Sequence, residues 1–254
     1  MLEYVLAGFV GILLGGAVNL LADHLPCYRS QGGRGEQVEE AAEAAESVES
    51  GHRRLLPRHF VVIALLAGIA IYVWQRWEAP FMIAAQLFYL ALFVLVAVID
   101  LEHRLVLSIV MLPAFALALV EIAITRRVAL ADALVGYAVA QIAVMIFYLG
   151  GSVYLWAINA HRDEPVREVA FGFGDVTLAT FCGMVLGYPA VVHMLILMVL
   201  LGGVIGLIYL LVRGVIHRRY EAHMAIPYGP AIVIAAAMML LWGDRIAYWV
   251  MGGR

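Results

Sequence analysis

Eight apolar runs constrain this chain more than any other feature. They fall at roughly 2–22, 60–74, 81–99, 105–124, 128–158, 176–186, 190–212 and 226–251. A helix that crosses a bilayer needs about 20 apolar residues, so the pattern predicts an all-α, polytopic membrane protein of about eight transmembrane helices. The second and sixth runs are short, and the glycine segment ahead of the sixth can extend it. The fifth and eighth are long enough to tilt or to leave the bilayer at one end. Composition agrees: 65% of residues are apolar and 14% charged, against about 45–50% and about 25% in soluble domains. The expected organisation is a single membrane domain over 1–254, with a hydrophilic loop at 23–59 between the first two helices. Glu3 and no basic residue precedes the first run, and no small-residue cleavage site follows it, which argues against a cleaved signal peptide.

Eight spans bring both termini to one side. The loops after the first, third, fifth and seventh runs share the other. They hold Arg29, Arg34, Arg53, Arg54, Arg58, Arg104, Arg162, Arg167, Arg213, Arg218 and Arg219, eleven of the 16 basic residues. Arg76, Arg126, Arg127, Arg245 and Arg254 lie elsewhere. The excess marks the Arg-rich side as cytoplasmic. The 23–59 loop then faces the cytoplasm. Its centre, "GEQVEEAAEAAESVES", is rich in Ala and Glu, a composition that suits either a surface helix or a solvated segment.

Two carboxylates sit at span edges on that side. Asp175 follows Gly172 and Gly174 and precedes an apolar run, where an Asp can cap a helix start. Asp100 closes the run "LFVLVAVID". A helix C-terminus disfavours negative charge, so capping does not explain it; exit into water or a working role does. Ionisable groups in or beside spans usually mark a functional site. If the two aspartates are neighbours, one pKa rises and the pair shares a proton. That arrangement splits a peptide bond with water: one carboxylate takes the water's proton while the other, protonated, serves the carbonyl and then the leaving amine. Gly172 and Gly174 would let a peptide backbone approach.

Four segments, in this order, resemble the prepilin peptidases, membrane aspartyl proteases that process type IV pilins and related secretion pseudopilins. They are "GGAVNLLADHLP" at 15–26, "VIDLEHRLVLSIV" at 98–110, "FGFGDVTLATFCGMVLG" at 171–187 and "IPYGPAIVIAA" at 226–236. The resemblance implies Asp100 and Asp175 as catalytic aspartates of a G-x-G-D site. It implies a cytoplasmic-face cut after a Gly, removing a short basic leader from the start of a hydrophobic substrate helix, without a metal. Thr177 stands where the family commonly has Lys, and Leu107 where it commonly has Pro. Many members carry two Cys pairs in the first loop that bind zinc, and many methylate the new N-terminus with S-adenosylmethionine. Here the loop has Cys27 alone. Cys27, His24, His52 and His59 are badly spaced for a zinc site, which needs four good ligands, so no metal is expected. S-adenosylmethionine is needed only if methyl transfer is present.

Around the dyad, Glu102 and His103 are candidates to orient it or to bind a basic leader, or they are headgroup-level loop residues. Asn19, among Gly15, Gly16 and Ala17, reads as an interhelical hydrogen bonder with substrate contact as the alternative; Gly11–Gly15 and "LGGVIGL" at 201–207 read as close helix packing. Glu121 and Asp132 read as interfacial, His193 and His223 as structural, and Cys182 as a small packing residue. The expected partners are a prepilin or pseudopilin helix and membrane lipid, not nucleic acid, and the oligomeric state is open. Two alternatives stay beside the protease. One is a catalytically silent assembly factor of the same fold, which Thr177 permits. The other is a proton-coupled transporter, although the chain has no internal repeat and its key aspartates lie near one face rather than at mid-membrane.

Overall fold

A backbone in hydrocarbon must satisfy its own polar groups, and the α-helix does so within one segment. The apolar runs fold accordingly. The computed structural model describes residues 2–30, 55–103, 106–160, 172–216 and 228–250, and among these every regular element is a helix. In chain order they are α1 (Leu2–Ser30), α2 (Leu55–Arg76), α3 (Pro80–His103), α4 (Ser108–Thr125), α5 (Leu130–Asn159), α6 (Phe173–Leu186), α7 (Ala190–Ile216) and α8 (Gly229–Val250). All except α6 are long and apolar enough to cross a membrane, so the chain is an all-α polytopic membrane protein. The polar stretch expected at 23–59 is narrower than its composition suggests. Helix α1 continues to Ser30 and α2 starts at Leu55. The Glu-rich segment and His52 lie outside the described residues, as does His223.

The chain forms two compact units, Met1–His103 and Arg104–Arg254. In the first, α1, α2 and α3 pack on one another. Gly11 and Gly15 bring the α1 and α2 backbones together as their one-turn spacing predicts. A Cβ at Gly11 would lie 2.5 Å from Ala67 Cα, and one at Gly15 would lie 2.7 Å from Ile63 Cα. Helix α3 is apolar all round, and such a helix is buried; its inward residues run from Ile83 to Asp100.

In the second unit α6 is the centre, touching α4, α5, α7 and α8. It has 14 residues, about 21 Å at 1.5 Å per residue, too short for a hydrocarbon core of about 30 Å. It needs no greater length because protein surrounds it: from Leu178 to Leu186 every residue is buried. Gly136 and Gly183 set the α5–α6 crossing, where a Cβ on Gly136 would meet the Gly183 carbonyl oxygen at 2.3 Å. Thr180 donates to Gln141 Oε1 at 2.9 Å across the same contact. Phe115 of α4 meets Phe181 edge-on at 5.2 Å between ring centres. Cys182 is fully buried, the packing position expected for it.

Glu121, read as interfacial near a span end, is also buried. It is 8% exposed, accepts a 2.9 Å bond from Thr125 Oγ1 and lies 3.6 Å from Arg127 Nε. Arg127 in turn donates to the Val185 carbonyl at 2.9 Å, so the turn after α4 is tied to the end of α6.

Candidate active site

The first unit carries Asp100, Glu102, His103 and Asn19. Asp100 lies in the last turn of α3 and is only 5% exposed, so the carboxylate does not mark a simple exit into water. Glu102 and His103 complete that turn and are exposed. Glu102 is held: Arg58 Nη1 donates to its Oε1 at 2.6 Å and its Oε2 at 2.5 Å. The other terminal nitrogen of Arg58 donates to Asp23 Oδ1, and His59 Nε2 stands 3.4 Å from Asp23 Oδ2. Asn19, 3% exposed, donates from Nδ2 to the His59 carbonyl at 3.3 Å. It is the interhelical bond expected of it, one residue from Arg58. The ends of α1 and α3 and the start of α2 thus meet in a polar cluster of Asp23, Arg58, His59 and Glu102.

The second unit carries Gly172, Gly174, Asp175 and Thr177. Asp175 lies inside the first turn of α6 rather than at its N-cap, a position Gly172 takes. Its Oδ2 accepts the Gly172 N–H at 3.1 Å. Gly172 has no side chain to return the bond, so half of the reciprocal capping arrangement exists. The carboxylate is half-buried and stands at the positive end of the helix. Gly174 makes room for Val106, whose Cβ a side chain at 174 would meet at 2.8 Å; the neighbour it admits in this structure is Val106. Thr177 turns its hydroxyl back to the Phe173 carbonyl at 3.2 Å. Leu107 is the N-cap of α4 with φ −79°, a backbone that a proline also adopts, so its departure from the family pattern leaves the local conformation unchanged.

Tyr228 joins the Asp175 neighbourhood and was not singled out from the sequence. Burial and the negative charge of Asp175 raise its phenol above the ordinary value, so it remains a neutral hydrogen-bond donor. Its ring takes the space left by Gly202 on α7, where a Cβ would meet the phenol oxygen at 2.4 Å. The signal was the Pro-aromatic-Gly-Pro segment itself, in which the aromatic was read as part of a pattern and not as a side chain with a place to go. Asp23 and Arg58 carry no sequence signal of their place in the polar cluster; Arg58 reads only as one of the cytoplasmic-side arginines.

Among the described residues no three His, Cys, Asp or Glu side chains gather to hold a metal ion, and Cys27's side chain lies outside those described. A cavity of about 810 Å³ in the first unit is lined by Glu3, Trp74, Trp77, Glu78 and apolar side chains of α1 and α3. Its lining on α3 runs from Pro80 to Ala91, about 14–30 Å along the helix from Asp100 at 1.5 Å per residue. Nothing in that lining assigns the cavity to S-adenosylmethionine.

Residues 87–211 match the model of the type IV leader peptidase family. Curated relatives bear the name prepilin leader peptidase/N-methyltransferase. The one from Pseudomonas aeruginosa is 29% identical over 184 residues, covering 72% of this chain and 57% of the relative. The one from Legionella pneumophila is 28% identical over 197 residues, covering 77% and 62%. A third, from Aeromonas salmonicida, is 30% identical over 103 residues, 41% of this chain and 34% of the relative. The matched stretches span about three-fifths of the first two relatives' length. No solved structure gives a significant match. Both Asp100 and Asp175 fall in the matched stretch, and it is over this stretch that the chain is similar to the type IV leader peptidase family.

Proposed function

We propose that this protein is a membrane aspartyl endopeptidase that removes the leader of prepilins or pseudopilins at the cytoplasmic face. The observation that carries the reading is the family match over 87–211, a stretch that includes both candidate aspartates. The distribution of Arg supports the cytoplasmic assignment.

In the mechanism Asp100 and Asp175 share one proton. The ionised carboxylate takes a proton from water as the water oxygen attacks the scissile carbonyl. The protonated one donates to the carbonyl oxygen as it becomes an alcohol. Collapse of the tetrahedral intermediate then sends a proton to the leaving amine, and the pair returns to its singly protonated state. The Gly172 N–H bond to Asp175 supports a role for Asp175 as the group held ionised, since hydrogen bonds to the charged form favour it. Methyl transfer to the new N-terminus, which the relatives' names include, would use S-adenosylmethionine; no described residue assigns that step here.

The test is co-expression with a pilin-like substrate, with leader loss followed by mass spectrometry. The parent is expected to process the substrate, and Asp100→Asn and Asp175→Asn each to stop it. Processing by both variants would remove the dyad. A parent that cleaves no candidate substrate would favour the silent assembly factor.

A further inference from the structure

The cluster of Asp23, Arg58 and Glu102 is the densest set of charged contacts among the described residues. Its members are poorly placed on their own helices. Arg58 lies in the first turn of α2, at the positive end of the helix dipole, and Glu102 lies in the last turn of α3, at the negative end. Each is disfavoured there by its own helix. Across the helices the two signs meet: the guanidinium bonds both oxygens of Glu102 and one oxygen of Asp23 on α1. A planar guanidinium suits such a two-sided grip, because its donors point in fixed directions toward two carboxylates at once. The Arg58 side chain is 16% exposed, with Glu102 and Asp23 about one-third exposed. Adjacent to it, Asn19 bonds the His59 carbonyl, so the start of α2 is pinned to α1 by two neighbouring residues. Glu102 is two residues beyond Asp100, in the same last helical turn.

We propose that Arg58 is a positioning residue: by joining Glu102 to Asp23 it locks the last turn of α3 against α1 and sets the placement of the Asp100 carboxyl. The role rests on the proteolytic reading of Asp100. It acts through α3 and does not require Arg58 to touch substrate. Without the clamp, a turn that carries Asp100 and Glu102 at the negative pole of its helix lacks the cation that offsets them, and it frays.

The experiment uses the full chain in lipid nanodiscs, with Arg58→Gln and Arg58→Lys. A nitroxide on Leu101→Cys, in a Cys27→Ser, Cys182→Ala background, reports motion of the turn from a position 61% exposed. Cleavage of a prepilin-type peptide gives kcat and KM separately. Arg58→Gln is expected to mobilise the nitroxide and to lower kcat about 100-fold with KM changed less than about threefold, the signature of lost alignment rather than lost binding. Arg58→Lys is expected to recover part of the rate, since an ammonium lacks the two-sided fork. An unchanged nitroxide spectrum overturns the proposal whether or not the protein cleaves anything. A mobilised turn with unchanged kcat overturns it too, and so does a loss confined to KM. Should the parent cleave no substrate, the proteolytic reading falls, while the nitroxide alone still decides whether Arg58 holds the turn. If Arg58→Gln does not fold, Glu102→Gln, which leaves the Arg58–Asp23 bond in place, supplies the same readouts.

Discussion

Gly11→Ala tests the packing on which the first unit depends. The added Cβ would stand 2.5 Å from Ala67 Cα and 2.6 Å from the Leu66 carbonyl oxygen. Carbon atoms settle about 3.5–4.0 Å apart, so α1 and α2 must separate by about 1 Å. One turn on, the same separation strips contacts from Gly15 and Ile63. Two turns on, the Asn19–His59 bond, already 3.3 Å long, passes out of useful hydrogen-bonding range. Overpacking of this kind costs about 1–3 kcal/mol, and replacing a helical glycine by alanine returns about 0.5–1 kcal/mol. The net expectation is a loss of about 0–2.5 kcal/mol. Gly16 is the matched control: it is on the same helix, and a Cβ there meets nothing within 4 Å. Gly16→Ala is expected to be neutral or to gain up to about 1 kcal/mol. Unfolding of the purified chain in mixed micelles, followed by helical signal against mole fraction of denaturing detergent, reads both. Shifts of the same sign and size for the two variants would refute the close-approach argument, because only the packing partner distinguishes them.

Two further outcomes follow from the second unit. The Tyr228 phenol is raised in the folded chain by burial and by Asp175, so the folded state holds that proton more tightly than the unfolded state. Its contribution is present below the ordinary phenol value of about 10 and is lost as pH rises through the folded value. Melting temperature should therefore fall more steeply above pH ~10 for the parent than for Tyr228→Phe, which keeps the ring against Gly202; parallel curves would remove Tyr228 from the Asp175 environment. Arg127→Ala deprives buried Glu121 of its nearby cation and the Val185 carbonyl of its donor. The expected loss is about 2–3 kcal/mol, below the full figure for a buried pair because Arg127 retains some exposure. A midpoint shift in the same detergent titration of less than a quarter of that would mean the pair contributes only as surface charges do.

Hydropathy located the helices because lipid leaves a chain few alternatives: a run of apolar residues must close its own hydrogen bonds, and a helix does so locally. The expected runs and the observed helices accordingly agree to within a few residues at most ends. Where they differ, local chemistry misled. Helix α1 passes Asp23 and continues to Ser30, although Asp23 and His24 made the run seem finished; Asp23 belongs inside the helix because Arg58 comes to it from α2. Small-residue spacing was equally legible for Gly11, Gly15 and Asn19, since positions four apart share a face.

What sequence could not show is which partner each polar group meets. Glu121 read as interfacial because it is charged and near a span end; it is buried because Thr125 and Arg127 fold back to it. Gly174 read as an opening for substrate, and the neighbour that a side chain there would meet is Val106, which hydropathy does not reveal. Tyr228 and Arg58 were invisible as site residues because their importance lies in neighbours remote along the chain, Asp175 for one and Asp23 and Glu102 for the other. The amino-acid order by itself determined the helical class, the span positions and the two aspartates as candidates, because those depend on local hydropathy and on the cost of placing charge near lipid. Tertiary structure alone decided that α6 can be short, that Asp100 is buried and that Arg58 joins three helices, because each depends on surfaces meeting across tens of residues, which no local pattern encodes.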